Sequence, residues 1–334
     1  MKLSAIHLYQ YNEPFQSPII TPKVCMESRK SLFVELITDE ALHYFGECNA
    51  FETNWYAEET ITDVQQQTIK WFQQYKDVTF ESFTEAQQSL NQLNDYPATR
   101  SMIMMAVYQA FHKLTTFNVD YGATINGLSE YNLTQLINTR PQRVKLKWTS
   151  DILKHIEVIK HLPFEVDLVV DANESIDEKG INQFKALVQY DILYIEEPFK
   201  HLEQLQRFQP TVLPPVAIDE KAVTQSAIID AISKYKIDVV ILKPFRLGGI
   251  DKVFEMINTL KNYKVKVVVG GMYEYGLSRY FTAMLAQYAD YPSDITSEGF
   301  YFKRDIVENA GILKGGSIYF EPPTVNTVRM ERIY

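Results

Sequence analysis

The chain has 334 residues, 46% of them apolar and 22% charged, more than one ordinary hydrophobic core holds and comfortable for two domains. A net charge of −9 argues against nucleic acid as the main partner, and no run of 18 apolar residues offers a membrane span. The two cysteines, Cys25 and Cys48, form neither a disulfide framework nor a CxxC pair. They read as free thiols of a reducing, cytoplasmic compartment. The opening MKLSAIHLYQYNE has one lysine and no long apolar core, so no signal peptide is expected.

In chain order, LSAIHLYQY, SLFVELIT and LHYFGEC alternate like antiparallel strands. Helical spacing follows over Ala57–Tyr75, Thr84–Asn94 and Ala98–Leu114, the last apolar on most sides and therefore expected to be buried. This first part reads as a small α+β domain. From about Tyr121 the pattern changes to strand, helix, strand, helix. ATING, RVKLKW, DLVVDAN, ILYIEEP, PVAIDE, DVVILKP, VKVVVGG and DITSEGF are the strand candidates. DILKHIEVIKHL, INQFKALVQY, TQSAIIDAISKY and IDKVFEMINTLKNY are the helices between them. Such alternation makes a parallel sheet, and eight strands suggest a closed barrel whose last units are irregular. The segment after Gly315 has no βα period and is expected to pack back on the N-terminal part. The expected domains are therefore 1–120, 121–314 and 315–334.

Five charges end successive apolar runs: Lys147, Asp171, Glu196, Asp219 and Lys243, at intervals of 24, 25, 23 and 24 residues. One charge per βα unit, always where the strand stops, puts all five on the face of a barrel that carries catalysis. A single carboxylate there is an ordinary strand end meeting water. Three in successive units between two lysines suggest oxygen ligands for a hard cation such as Mg²⁺, with a base on each side. Neither HExxH nor a cysteine pair argues for a softer ion. Lys145 and Lys147 are two apart and share a strand face, with Arg143, Leu146 and Trp148 read onto the other. Neighbouring like charge lowers an ammonium pKa and makes one lysine a usable base. The set fits removal of a proton alpha to a carboxylate, with the resulting charge stabilised by the metal.

These motifs resemble the enolase superfamily, in its muconate-lactonizing-type branch and within the subgroup of o-succinylbenzoate synthases and N-succinylamino acid racemases. VKLK resembles the family's KxK; DAN, IEEP and IDE its three metal motifs; LKPFRLGG its sixth-strand lysine motif; GGMYEYGLSR its glycine motif. GECNAFETNWYAEET and the segment Gln16–Thr21 resemble its two capping loops. The resemblance implies a TIM-like (β/α)7β barrel with an N-terminal α+β capping domain. It implies Mg²⁺ on Asp171, Glu196 and Asp219, catalysis by Lys147 and Lys243, and substrate contacts from Lys145, Asn173, Arg246, Gly271, Met272, Glu274 and Trp55. The implied partner is a small-molecule carboxylate, with neither nucleic acid nor membrane. The implied reaction is dehydration of a succinylated hydroxycyclohexadiene carboxylate to o-succinylbenzoate in menaquinone synthesis. Racemisation of an N-succinylamino acid is the alternative, and dipeptide epimerisation a more distant one. Two departures are Gln109, where relatives often carry an acid, and Tyr275, where a smaller residue is common and a reshaped pocket is expected. From other classes, a Schiff-base aldolase would also use a barrel lysine, and a non-catalytic metal-binding barrel would have no use for both lysines.

Overall fold

The computed structural model describes residues 1–21, 23–208 and 212–334. The alternating residues near the start form a long antiparallel hairpin of β1 (Leu3–Ile20) and β2 (Cys25–Thr38), extended by β3 (His43–Glu47). Leu32, Phe33, Val34 and Leu36 are all fully buried, so β2 is covered on both faces. Gln16–Thr21, expected as a mobile loop, is mostly strand. The register slips between Pro14 and Ile19, then Ile19 pairs with Met26 and Ile20 with Cys25. Pro14 has no N–H to give the ladder, which is why a bulge rather than a turn falls there.

Three helices follow: α1 (Ile61–Tyr75), α2 (Phe83–Ser89) and α3 (Pro97–Phe111). The first starts later than the apolar spacing suggests because Thr60 and Asp63 form a capping box. Every residue from Ala98 to Val107 in α3 is buried. Gln109, at the half-buried end of α3, donates its amide to Phe45 O and Met105 O, so its effect lies in packing.

The second half alternates as expected: β4 (Phe117–Asp120), β5 (Gly122–Ile125), α4 (Glu130–Thr139), β6 (Arg143–Lys147), α5 (Ile152–Lys160), β7 (Asp167–Asp171), α6 (Ile181–Ala186), β8 (Tyr194–Glu196), β9 (Val216–Ile218), α7 (Gln225–Lys234), β10 (Val239–Leu242), α8 (Pro244–Leu247), α9 (Ile250–Tyr263), β11 (Lys266–Val269) and α10 (Gly276–Ala286). Strands β5 to β11 pair in chain order as one curled, seven-stranded parallel sheet. DITSEGF, read as an eighth strand, is not one: only a parallel bridge joins Gly270 to Asp294. Pro292 cannot donate there, and the Asp294 carboxylate is drawn inward to two cations of β6.

The chain ends on β12 (Ile312–Lys314), β13 (Ser317–Phe320) and β14 (Glu331–Arg332). β13 pairs with β4, and β14 pairs with the outer edge of β1. No helix among the described residues is long and apolar enough to cross a membrane.

A buried ion pair ties α3 to α9. Both terminal nitrogens of Arg100 bond the Asp251 carboxylate, at 2.8 and 2.7 Å. Burial pushes the Asp251 carboxyl up, but the Arg100 bonds pull it below its ordinary value. A depressed carboxyl contributes stability that is complete above pH about 4 and lost as pH falls through the lowered value. Asp251→Ala leaves the guanidinium buried and unpaired, at an expected cost of about 3–5 kcal/mol. Denaturant unfolding at pH 7 checks this, and a change below about 1 kcal/mol contradicts it.

Candidate active site

The two-residue period of a strand turns one set of side chains into the curl of the sheet. On β7 to β11 that set begins with Val169, Tyr194, Ala217, Val239, Ile241 and Val268, which pack on one another as a separate apolar plug. One step beyond the plug, toward the strand C-termini, the same faces carry Asp171, Glu196, Asp219 and Lys243. All four are buried. Register places Lys147 beside Asp171 and Asp171 beside Glu196. β6 differs from its neighbours, since its inward face carries Arg143, Lys145 and Lys147. Arg143, read onto the outer face, shares the parity of the two lysines and is fully buried. Gly122 on β5 makes room for it, because a Cβ there would fall on the guanidinium.

Each of the three strand-end carboxylates meets a cation. Lys147 Nζ donates to Asp171 at 2.5 Å, Lys145 Nζ to Glu196 at 2.7 Å, and Lys243 Nζ to Asp219 at 2.7 Å. Arg246 adds a bond to Asp219 at 2.9 Å. Asp294 takes Arg143 and Lys145, both at 2.7 Å. Burial opposes the charge of Lys145 and Lys243, yet Asp294 and Glu196 on one, and Asp219 on the other, hold both ammonium groups above their ordinary range. Glu196 sits in the middle. Burial drives its carboxyl up; Lys145 opposes this, while Asp171 and Asp219 add to the rise. Lys147 stands apart from the other lysines. Its side chain is 36% exposed, against 5% for Lys145 and 8% for Lys243.

Among the described residues no three His, Cys, Asp or Glu side chains already stand as a ligand group, and Lys147, Lys145 and Lys243 each bond one oxygen of a strand-end carboxylate. The donor set nonetheless suits a hard divalent cation: three carboxylates on adjacent strand ends, all oxygen, the middle one driven toward protonation by burial first and by the charges of the other two in addition. A bound cation would remove that mutual repulsion.

The other expected contacts fall in different places. Asn173 donates its backbone and side-chain N–H groups to Asp171 Oδ1, at 3.1 and 2.8 Å. Gly271, Met272 and Glu274 line a cavity of about 100 Å³ together with Gly122, Thr124 and Tyr301, in the gap left by the missing eighth strand. Within it, Glu274 is held by the Ser278 and Thr282 hydroxyls. Tyr275 does not reshape this cavity. It is fully buried between the N-terminal sheet and α10, accepting from Glu13 N, donating to Arg29 O and stacking on Phe302. Trp55 leans on Phe51 and Tyr56, and its Nε1 is buried without a partner.

Three participants, Asp294, Glu220 and Glu197, are absent from the sequence reading, and a fourth, Tyr56, is read there only as half of an aromatic pair with Trp55. Tyr56 OH, on the loop before α1, accepts from Lys243 at 3.2 Å and Arg246 at 2.9 Å. Asp294 anchors the inner face of β6. Glu220 follows Asp219, and burial together with the Asp219 charge pushes its carboxyl up to about 7. Glu197, beside Glu196, accepts from the backbone N–H of Asp219 and of Lys221. Charge and neighbourhood point to Glu197 and Glu220; the aromatic pair Trp55–Tyr56 on the capping loop reads as a substrate contact or as core, and neither reading leads to Lys243.

A parallel sheet with carboxylates and lysines on its C-terminal rim, capped by an N-terminal α+β unit, defines a class. Residues 132–324 match the family described as enolase C-terminal domain-like, and the chain belongs to it. The fold is that of enolase superfamily members, with an N-terminal capping domain and a TIM-like barrel. Among curated relatives, the chain is 25% identical over 332 residues to an o-succinylbenzoate synthase of Bacillus subtilis (strain 168), covering 92% of this chain and 87% of that one. It is 24% identical over 348 residues to an N-succinylamino acid racemase of Amycolatopsis sp, covering 95% and 92%. A dipeptide epimerase from Enterococcus faecalis V583, complexed with Mg and the dipeptide L-Leu-L-Tyr, superposes with a TM-score of 0.80 at 18% identity, covering 99% of this chain and 100% of that chain.

Proposed function

We propose that this chain is a hydro-lyase that converts 2-succinyl-6-hydroxy-2,4-cyclohexadiene-1-carboxylate to 2-succinylbenzoate, as an o-succinylbenzoate synthase of menaquinone synthesis. The observation that carries the reading is three strand-end carboxylates, Asp171, Glu196 and Asp219, flanked by Lys147 on one side and Lys243 on the other. Similarity to curated synthases over nearly the whole chain supports it.

Asp171, Glu196 and Asp219 would hold Mg²⁺, which when bound supplies positive charge against the substrate carboxylate as its alpha carbon becomes acidic. Lys147 is the base because it alone of the inward lysines is open to a substrate. Its amine nitrogen takes the alpha proton, and the C–H electron pair passes into the ring–carboxylate system. The C–O bond to the 6-hydroxyl then breaks on the same face. The Lys147 ammonium returns its proton to the departing hydroxide, which leaves as water, and the ring becomes aromatic. Lys243, held charged beside Asp219, stabilises the intermediate anion from the other side. Lys145, shared between Glu196 and Asp294, stays a cation and takes no proton.

Racemisation of an N-succinylamino acid is the second reading, because Lys243 and Arg246 converge on Asp219 opposite Lys147 and a second base there would serve both enantiomers. The test supplies purified protein and Mg²⁺ with the cyclohexadiene or, separately, with an N-succinylamino acid in D₂O. Efficient formation of the aromatic product supports the synthase. Alpha-deuterium exchange without aromatic product sinks it in favour of the racemase. Chelation should abolish either activity and added Mg²⁺ restore it. Activity that survives chelator and traps covalently with borohydride would instead indicate a Schiff-base lysine.

A further inference from the structure

Behind the three carboxylates lies a second set of charges that the mechanism above does not use. Glu197 follows Glu196 at the end of β8 and is fully buried at its carboxylate. One of its oxygens accepts the backbone N–H of Asp219 at 2.8 Å and of Lys221 at 3.0 Å. The other accepts Lys221 Nζ at 2.5 Å. The same ammonium donates at 2.5 Å to Glu174, three residues after Asp171. A backbone bond from Glu174 N to Glu197 O, 2.7 Å, closes the set.

Each loop that carries a carboxylate of the site therefore also carries one member of this set: Asp171 with Glu174, Glu196 with Glu197, Asp219 with Lys221. The loops need holding. Asn173, Glu174 and Glu197 all adopt left-handed backbone, at φ of +43°, +62° and +43°, a region that side chains other than glycine enter at a cost. These turns begin within two residues after Asp171 and Glu196, so the chain leaving each carboxylate is held in a conformation it would not keep unaided. Without a tie between the loops, each turn could relax separately.

We infer that Glu197, Lys221 and Glu174 form a clamp that sets the spacing of Asp171, Glu196 and Asp219 and so tunes divalent-cation affinity. The inference rests on the ligand reading given above. These are positioning residues: they touch neither the cation nor the substrate but orient the groups that do. Loss of such outer partners typically weakens metal binding about 10- to 100-fold.

Lys221→Met separates positioning from bulk electrostatics by sign. Removing a positive charge beside a cation site tightens binding if only the field matters. The clamp predicts the opposite. Mg²⁺ and Mn²⁺ titrated calorimetrically into the substrate-free protein should bind about 10-fold more weakly in Lys221→Met, and Lys221→Arg should recover most of the loss. Glu174→Gln, at the exposed end of the clamp, gives a smaller loss and covers the case in which Lys221→Met folds poorly. Unchanged or tighter binding in folded Lys221→Met, or a lower melting temperature with wild-type affinity, overturns the clamp alone. Absence of divalent binding by the wild-type protein overturns the ligand reading and the clamp with it.

Discussion

Lys147→Ala lowers turnover of the cyclohexadiene substrate by about 10³- to 10⁴-fold, the upper range for loss of a positioned general base. The case is geometric. Three cations line the inner face of β6, and two are already committed: Arg143 to Asp294, Lys145 to Glu196 and Asp294. Lys147 is at the end of the strand, more than a third exposed, with a single partner. It alone can exchange that partner for a substrate proton without leaving a buried carboxylate bare on two sides. The deficit belongs in kcat, since the proton moves only in the transition state. Divalent binding should survive within a few-fold, because Asp171 keeps both Asn173 bonds. A variant that retains a tenth of wild-type turnover would remove Lys147 from the base role and turn attention to the other lysines.

The site was legible in the sequence to the extent that strand ends carry it. An apolar tripeptide followed by a charge marks where a parallel strand stops, and repetition every two dozen residues marks the βα unit. Asp171, Glu196, Asp219 and Lys243 each announce themselves this way. What escaped depends on parity, on unusual backbone or on distance. Arg143 reads onto the outer face, yet it lies two residues from Lys145 and so shares its parity. Glu197 reads as a duplicate of Glu196 unless its left-handed backbone is known, because in a regular strand adjacent side chains point to opposite faces. Tyr56 meets Lys243 across 187 residues of chain, through a loop whose aromatic pair reads equally well as core. The eighth strand failed for a related reason. DITSEGF has a strand's composition, but the value of Asp294 to the fold lies in its side chain reaching Arg143 and Lys145.

The two candidate reactions ask different things of Lys243, and one substitution divides them. In the dehydration Lys243 need only be a cation near the developing charge. In racemisation it must also gain and lose a proton. Arginine keeps the first property and lacks the second, since a guanidinium does not deprotonate near neutral pH. For a synthase, Lys243→Arg retains turnover within about 10-fold, while Lys243→Ala loses about 10²- to 10³-fold by removing a charge stabiliser from a buried site. For a racemase, both variants lose alpha exchange with the one enantiomer that presents its proton to Lys243, by about 10²-fold or more, and keep exchange with the other through Lys147. The pocket around Lys243 favours the cation role. Its ammonium donates to Asp219 and Tyr56, and only 8% of the side chain meets solvent. An amine so enclosed is poorly placed to shed a proton to water between turnovers, whereas a fixed charge loses nothing by enclosure. Equal loss in Lys243→Arg and Lys243→Ala on the cyclohexadiene would show that enclosure alone does not assign the role.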